Sequence, residues 1–509
     1  MDAKLVAAAR AAFPAGADAL VLGAPLAGSG AGAECHPEPL VRLPLAMLNR
    51  HGLVAGATGT GKTKTLQLLA EQLSRAGVPV FLADLKSDLS GIAAPGEASE
   101  RVTARARDTG FPWQPDACPV ELLSLTGALG AQVRATVSSF GPLLLAKVLD
   151  LNPTQTSVLA LVFKYCDDRG LELYDFADLR TVLQHLTGAG AEELQKLGGM
   201  SKATVGVLLR EMVELEQQGA LAFFGEPELE LADLLRTAPD GRGVVSVLAL
   251  ADVQDKPALF STFMMWLLAR LFAELPELGD PPKPRLVFFF DEAHLLFRDA
   301  SPAFLDQVGQ VVRLVRSKGV GIFFVTQNPK DVPAEILGQL GTRVQHALRA
   351  FTPDDAKALR AAARTFPKTD FYDVEETLTT LGTGEALISA LAPNGAPTPP
   401  FATRLIPPAS RMGVLTHLER RGLLATPQVA KYRAAVDRES AHEKLTKQAE
   451  QARARAADET APAARRGGSA SDDGVSLYEA LNSPLARTVA NAFTRGVLGA
   501  LLGSRRRRR

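Results

Sequence analysis

Residues Gly56-Ala57-Thr58-Gly59-Thr60-Gly61-Lys62-Thr63 fill every fixed position of the spacing G-x-x-x-x-G-K-[ST]. Glycines in this pattern let a backbone wrap closely around phosphates, and a helix that opens at Lys62 would point its N–H groups at them. The Lys62 ammonium is then expected at the β- and γ-phosphates, and the Thr63 hydroxyl at Mg²⁺. With Lys64 these residues form the expected binding loop for ATP. The competing reading is a glycine-rich turn without a ligand.

A second cluster follows the apolar run Leu286–Phe290, which ends in Asp291, Glu292 and, two residues on, His294. Asp291 is expected to hold Mg²⁺ directly or through water, and Glu292 to polarise the attacking water as general base. Capping of the next helix by this pair is compatible with both roles. His294 is either a link to a partner or a packed histidine. The run Gly321–Val325 ends in Thr326, Gln327, Asn328 and Pro329. Gln327 is the expected contact to the γ-phosphate or the water; a plain turn before Pro329 is the alternative. Arg343 is the favoured arginine finger, ahead of Arg349, Arg313 and Arg316. Asp84-Leu85-Lys86-Ser87-Asp88 supports the site, forms a subunit contact, or is a plain turn capped by Asp88.

These groups need a scaffold that brings strand ends together. Leu53–Ala55 and Val78–Leu82 read as short strands around a helix over Lys62–Ala76, whose Leu66, Leu69, Ala70 and Leu73 share one face. Strand-like runs recur at 243–250, 285–290, 319–326, 343–349 and 384–391. Helical patterns at 258–275, 303–317 and 333–340 separate several of them. Continuous apolar strands alternating with helices predict an α/β fold with a mostly parallel sheet. Residues 1–42 form a short N-terminal segment and 43–408 the ATPase domain, interrupted by an all-α insertion at about 143–240. A C-terminal helix (409–440), a charged linker (441–474) and a basic amphipathic tail (475–509) follow.

The chain has 509 residues with 56 basic and 56 acidic side chains, so global charge does not advertise a nucleic-acid partner. Cys35, Cys118 and Cys166 are scattered and odd in number, which fits neither a disulfide framework nor a zinc site. No signal peptide is evident, and the longest apolar runs fall short of a membrane span, so a soluble cytoplasmic protein is expected. The tail Ser483–Arg509 carries an apolar stripe and ends in five arginines. An anionic membrane, a protein groove or DNA phosphates are its candidate partners, and a solubilising end is the alternative.

The segments GATGTGKT, FLADLKSDLSG, FFFDEAHLLF, RLVRSKGVGIFFVTQNP and LGQLGTRVQHALRAFTP resemble the bacterial YjgR group of HerA-like P-loop ATPases, over about residues 43–408. The resemblance implies a RecA-like core, a homo-oligomeric, usually hexameric ring, ATP sites between subunits, and DNA translocation or helicase activity on double-stranded DNA. It places Lys62, Thr63, Asp291, Glu292 and Gln327 at working positions, with Arg343 at the place of the finger. HerA carries an N-terminal β-barrel that contacts a nuclease. The stretch before the phosphate loop is too short for one, which argues against a nuclease partner here. A switch or assembly factor acting on a protein or membrane is the alternative function.

Overall fold

The computed structural model describes residues 2–14, 18–28, 30–196, 198–298, 300 and 302–460. The tail Ser483–Arg509 and the Gly/Ser/Asp stretch 467–474 lie outside them. Residues Met1–Lys447 form one compact unit and Gln448–Arg509 a second, of which the described part is helical.

The strands are β1 (Ala19–Ala27), β2 (Glu34–Cys35), β3 (Val41–Pro44), β4 (Gly52–Ala55), β5 (Val80–Asp84), β6 (Val120–Ser124), β7 (Ala131–Gln132), β8 (Val245–Ala249), β9 (Leu286–Phe290), β10 (Val320–Thr326), β11 (Thr342–His346), β12 (Glu385–Ser389) and β13 (Phe401–Leu405). They join in one sheet in the order β2-β1-β13-β12-β11-β4-β10-β9-β5-β8-β6-β7, with β3 beside β1. From β11 to β7 every pairing is parallel. The strands from β12 outward pair antiparallel.

Both faces of the parallel part are covered, which is why its strands are apolar throughout rather than alternating. In β9, Phe288 and Phe290 enter the core on one face, while Val287 and Phe289 enter the core on the other. The first face carries the helical stretch 137–234 and the helix Pro257–Glu274. That helix contains one of the two longest apolar runs, and its Phe263, Met264, Trp266 and Leu271 are buried in this core. Among the described residues no helix is long and apolar enough to cross a membrane.

Several elements differ from the sequence expectation. Residues before 43 are part of the main sheet: β1 pairs with β13, and Phe13, from the end of the first helix, packs edge-on against Phe401 at 5.3 Å. The expected C-terminal helix is two short ones, His417–Leu423 and Pro427–Arg433, because Pro427 lacks an N–H and Thr426 caps a fresh start. Charged residues 441–460 form a helix rather than the start of a linker. Their Ala, Lys, Glu, Gln and Arg content favours helix, and Ala441 and Leu445 are buried.

After β13 the chain runs back over the helix Lys62–Arg75 as a strap, Ile406–Leu415. Buried Glu71 holds it: one carboxylate oxygen accepts from the Ala409 N–H at 2.7 Å, the other from the Ser410 N–H at 3.0 Å and hydroxyl at 2.7 Å. Gln67 donates to the Arg411 carbonyl at 2.8 Å. Truncating Glu71 leaves buried donors without an acceptor, at roughly 1–3 kcal/mol each. Glu71→Ala is therefore expected to lower the unfolding free energy by roughly 2–4 kcal/mol in urea titration, and Glu71→Gln, which keeps one acceptor oxygen, by about half as much.

Candidate active site

Parallel strands deliver their carboxyl ends to one edge of the sheet, and here that edge collects the polar residues. β4 leads into the phosphate loop, β10 into Thr326 and Gln327, β9 into Asp291 and Glu292, and β5 into Lys86. The order β4-β10-β9-β5 makes these four ends neighbours. Thr326 is level with Ala55, and Phe324 with Phe290.

The loop is braced from beneath. The Ala57 N–H donates to the Ala347 carbonyl at 2.9 Å, and the Gly384 N–H donates to the Thr60 carbonyl at 2.9 Å. The Thr60 hydroxyl closes the loop on the Ala57 carbonyl at 2.7 Å. Gly56 has φ of 152°, and a Cβ there would lie 2.5 Å from that of His346, so a side chain has no room. Gly61, with φ of 115°, starts the helix Lys62–Arg75. Thr58 and Gly59 form the exposed tip, and Thr63 is partly exposed in the first helical turn. The Lys62 ammonium donates to the carbonyls of Gly56 at 2.7 Å and Ala57 at 3.2 Å. Burial lowers its pKa, against the opposing pull of Glu292 and Asp291. Lys64 turns away to the Met412 carbonyl.

The acid pair sits on a strained turn. Glu292 has φ of 49°, a left-handed value unusual for a side-chain-bearing residue. Its carboxylate is buried and ion-paired with Lys86, with His294 Nδ1 at 3.2 Å. Burial works to raise its pKa, but the Lys86 hydrogen bond and charge, then His294 and Lys62, hold it below the ordinary value. Asp291 is pushed up to about 7, first by burial and then by the Glu292 charge. Its Oδ2 is buried without a hydrogen-bond partner, so it has an acceptor to offer a cation. Among the described residues no group of three His, Cys, Asp or Glu side chains is placed to hold a metal ion by itself. One hydroxyl and one carboxylate suit Mg²⁺, which keeps water and phosphate oxygens as its other ligands.

Gln327 is exposed at the end of β10, between the loop and the acids. Thr326 and Asn328 are occupied by Asp331, which accepts from the Thr326 hydroxyl at 2.8 Å and the Asn328 N–H at 3.0 Å. The structure thus brings Lys62, Thr63, Asp291, Glu292 and Gln327 to one edge. Arg343 is not among them. It is level with Leu53, three residues before the loop and so roughly 10 Å towards the opposite edge. Its guanidinium donates to the Leu337 carbonyl at 3.4 Å. Arg349 lies on the loop's edge of the sheet, exposed, and donates to the Thr379 carbonyl at 2.6 Å. Arg313 is also exposed, and Arg316 pairs with Asp280 at 3.3 Å. The turn after β5 is capped by Asp84, not Asp88: its carboxylate accepts from the Leu89 N–H at 3.0 Å.

Lys86, in the run read as a possible support of the site, reaches Glu292 across β5 and β9, although its partner is not legible from spacing. His346 is legible in neither respect: it lies fully buried under the loop, its Nε2 2.8 Å from the Thr65 hydroxyl. Both relations depend on strand pairing.

A family model described as "Helicase HerA-like C-terminal" matches residues 33–509. The chain is 32% identical over 99 residues to the DNA double-strand break repair helicase HerA of Sulfurisphaera tokodaii, covering 19% of each chain. It is 28% identical over 156 residues to a probable helicase of Methanocaldococcus jannaschii, covering 28% of each. The matches thus span less than a third of the relatives' length. Among solved structures, the bacterial conjugative coupling protein TrwBdeltaN70 is a distant likeness at 16% identity and a TM-score of 0.48, over 74% of this chain and 90% of that one.

His346 gives the loop a pH dependence. Burial, and less strongly the Lys62 charge, lower its pKa from 6.5 to about 4. Between these values the unfolded chain binds a proton that the folded chain refuses, so stability rises with pH across the window. The contribution is complete above pH 6.5 and is lost as pH falls to about 4. A full shift of this size corresponds to roughly 3 kcal/mol. His51, also lowered to about 4 by burial, adds a similar slope. In urea titrations at stepped pH, His346→Gln is expected to flatten the slope while His51 keeps its part. An unchanged slope would show that His346 is not the group responsible.

Proposed function

We propose that this chain, which belongs to the helicase HerA-like C-terminal family, is a Mg²⁺-dependent ATPase whose turnover drives movement along, or remodelling of, DNA. The observation that carries the ATPase reading is the meeting of a complete phosphate loop and a buried Glu292, ion-paired with Lys86, at one edge of a parallel sheet. In this reading residues Gly56 to Lys64 cradle the phosphates, and Lys62 gives up its loop carbonyls for β- and γ-phosphate oxygens. Thr63 and Asp291 would hold Mg²⁺, which would supply positive charge against the charge of the phosphates. Glu292 takes the proton of a water that Gln327 orients, as that water attacks the γ-phosphorus. The bond to the β–γ bridging oxygen breaks, and ADP and phosphate leave. Lys86 keeps Glu292 ionised until it acts.

Oligomerisation and DNA belong to the same proposal. The support is the family description and a relative named as a DNA repair helicase. In a homo-oligomeric ring the transition-state charge would be met by an arginine of the neighbouring subunit. Either candidate would have to leave a backbone carbonyl to do so, Arg343 that of Leu337 and Arg349 that of Thr379, but Arg349 is the one exposed at the loop's edge of the sheet. Double-stranded DNA is the proposed track.

Lys62→Ala is expected to abolish tight ATP binding and turnover together. Glu292→Gln is expected to keep binding and lose turnover by roughly 10²–10⁴-fold. Steady-state hydrolysis with and without double-stranded DNA, with Glu292→Gln as the blank, tests both levels. Turnover accelerated by DNA, with a steep salt dependence, supports the DNA motor. Turnover indifferent to DNA removes that part and leaves an ATPase switch acting on a protein or a membrane. Normal turnover in Glu292→Gln overturns the base assignment.

A further inference from the structure

A cavity of about 380 Å³ opens over the carboxyl ends of β5, β8 and β9. In the order β4-β10-β9-β5-β8 this is the far side of the acid pair from the phosphate loop. Open α/β sheets receive ligands outside the carboxyl ends of their strands, and the volume lies within the roughly 300–1,000 Å³ of small-ligand clefts. The turns after those strands form part of the wall. The rest comes from the end of the helical stretch Val137–Val148 and the first turns of the helix Pro257–Glu274.

Val148, Phe260, Met265, Leu295 and Phe304 make the interior apolar. Among the described residues the charged side chains that line it are Lys147 and Arg298, and neither is ion-paired. Lys147 donates to the neutral amide oxygen of Gln307 at 2.7 Å, and Arg298 is exposed. No side chain caps the helix start at Pro257, so the positive end of its dipole adds charge of the same sign. An apolar hollow beside two cations without counter-charges suits one kind of guest. Its apolar body displaces water from the walls, and its single anionic head meets the cations.

Two residues of the wall bear on the acid pair. Leu85 precedes Lys86, which is ion-paired with Glu292. Leu295 follows His294, whose Nδ1 lies 3.2 Å from the other Glu292 oxygen. Gln254, also in the wall, donates to the Leu85 carbonyl at 2.7 Å. A guest packed on Leu85 and Leu295 therefore holds the turns on both flanks of Glu292. Glu292 must part from Lys86 to take a proton from water, and a held turn opposes that.

We propose that this cavity is an effector site for a small amphipathic anion, a carboxylate on an apolar chain, that slows ATP turnover from outside the nucleotide site. The binding stands apart from the ATPase reading above, whereas the effect on turnover rests on it.

Titration calorimetry on the full chain without nucleotide tests the binding. The probe is octanoate, with octanol lacking the charge and acetate lacking the chain. Octanoate is expected to bind saturably, and octanol and acetate each roughly tenfold more weakly or worse. Lys147→Gln combined with Arg298→Gln is expected to bring octanoate down to the level of octanol. Octanol itself should be unchanged, which reports an intact cavity. A diazirine at the chain end should label the peptides containing Phe260 or Met265. Saturating octanoate is expected to lower kcat about twofold or more with KM for ATP unchanged, and to leave turnover of the double variant unaltered. Octanoate that does not saturate, octanol or acetate bound as tightly, an undiminished double variant, or labelling elsewhere overturns the site. Binding at the site with kcat unchanged, or with KM raised, overturns the effector role. Wild-type protein without turnover overturns the ATPase reading and the effector role with it, while the binding result stands.

Discussion

Parallel pairing of β4 with β10, and of β10 with β9, sets the height at which every chemical group of the site emerges. Successive strands in such a sheet are buried on both faces, so a shift of one residue would move a row of phenylalanines from one core to the other. Phe288 and Phe290 on one face and Phe289 and Phe323 on the other resist that shift in both directions. The polar residues after each strand inherit this precision. Glu292 meets Lys86, and Lys62 feels both acids, because apolar side chains several residues earlier fix where each strand stops.

The electrostatics follow from the same placement. Asp291 and Glu292 are adjacent carboxylates in a partly desolvated turn, and two like charges there cannot be equally comfortable. Lys86 breaks the symmetry by pairing with Glu292 alone, so Glu292 stays ionised while Asp291 is raised. A divalent cation at Asp291 would reverse that rise and complete a division of labour, with one carboxylate for the metal and one for the water. Glu292 meets Lys86 and approaches His294 from a left-handed backbone position.

Local information was enough for part of this. The phosphate loop is read from eight consecutive residues, and the acid pair from an apolar strand that ends in carboxylates. Arg343 shows where local information stops. Its neighbours place it in a strand near the site, but only the register with β4 reveals that it lies level with Leu53 and towards the far edge. His346, three residues along the same strand, is the one that reaches the loop, and nothing in its flanking sequence separates it from an ordinary core histidine. The first strands escaped notice as part of the main sheet for a similar reason. β1 gains its partner β13 nearly four hundred residues later, and no periodicity reports that distance.

The helix that opens at Lys62 is where these strands of argument join. Its first turn carries the phosphate-binding lysine, its side row Lys64, Gln67 and Glu71 grips the strap, and that strap leads directly to the helices beyond β13. Spacing of three and four residues puts the row on one helical face, so any movement of the helix N-terminus is carried to the strap without an intervening loop. Glu71 and Gln67 bond to backbone atoms, whose positions a rotamer change cannot relax. Lys64 is the exception: its long side chain bonds to the Met412 carbonyl from beside the phosphate loop, so this tie is the more yielding one, while Glu71 anchors the strap two to three residues earlier.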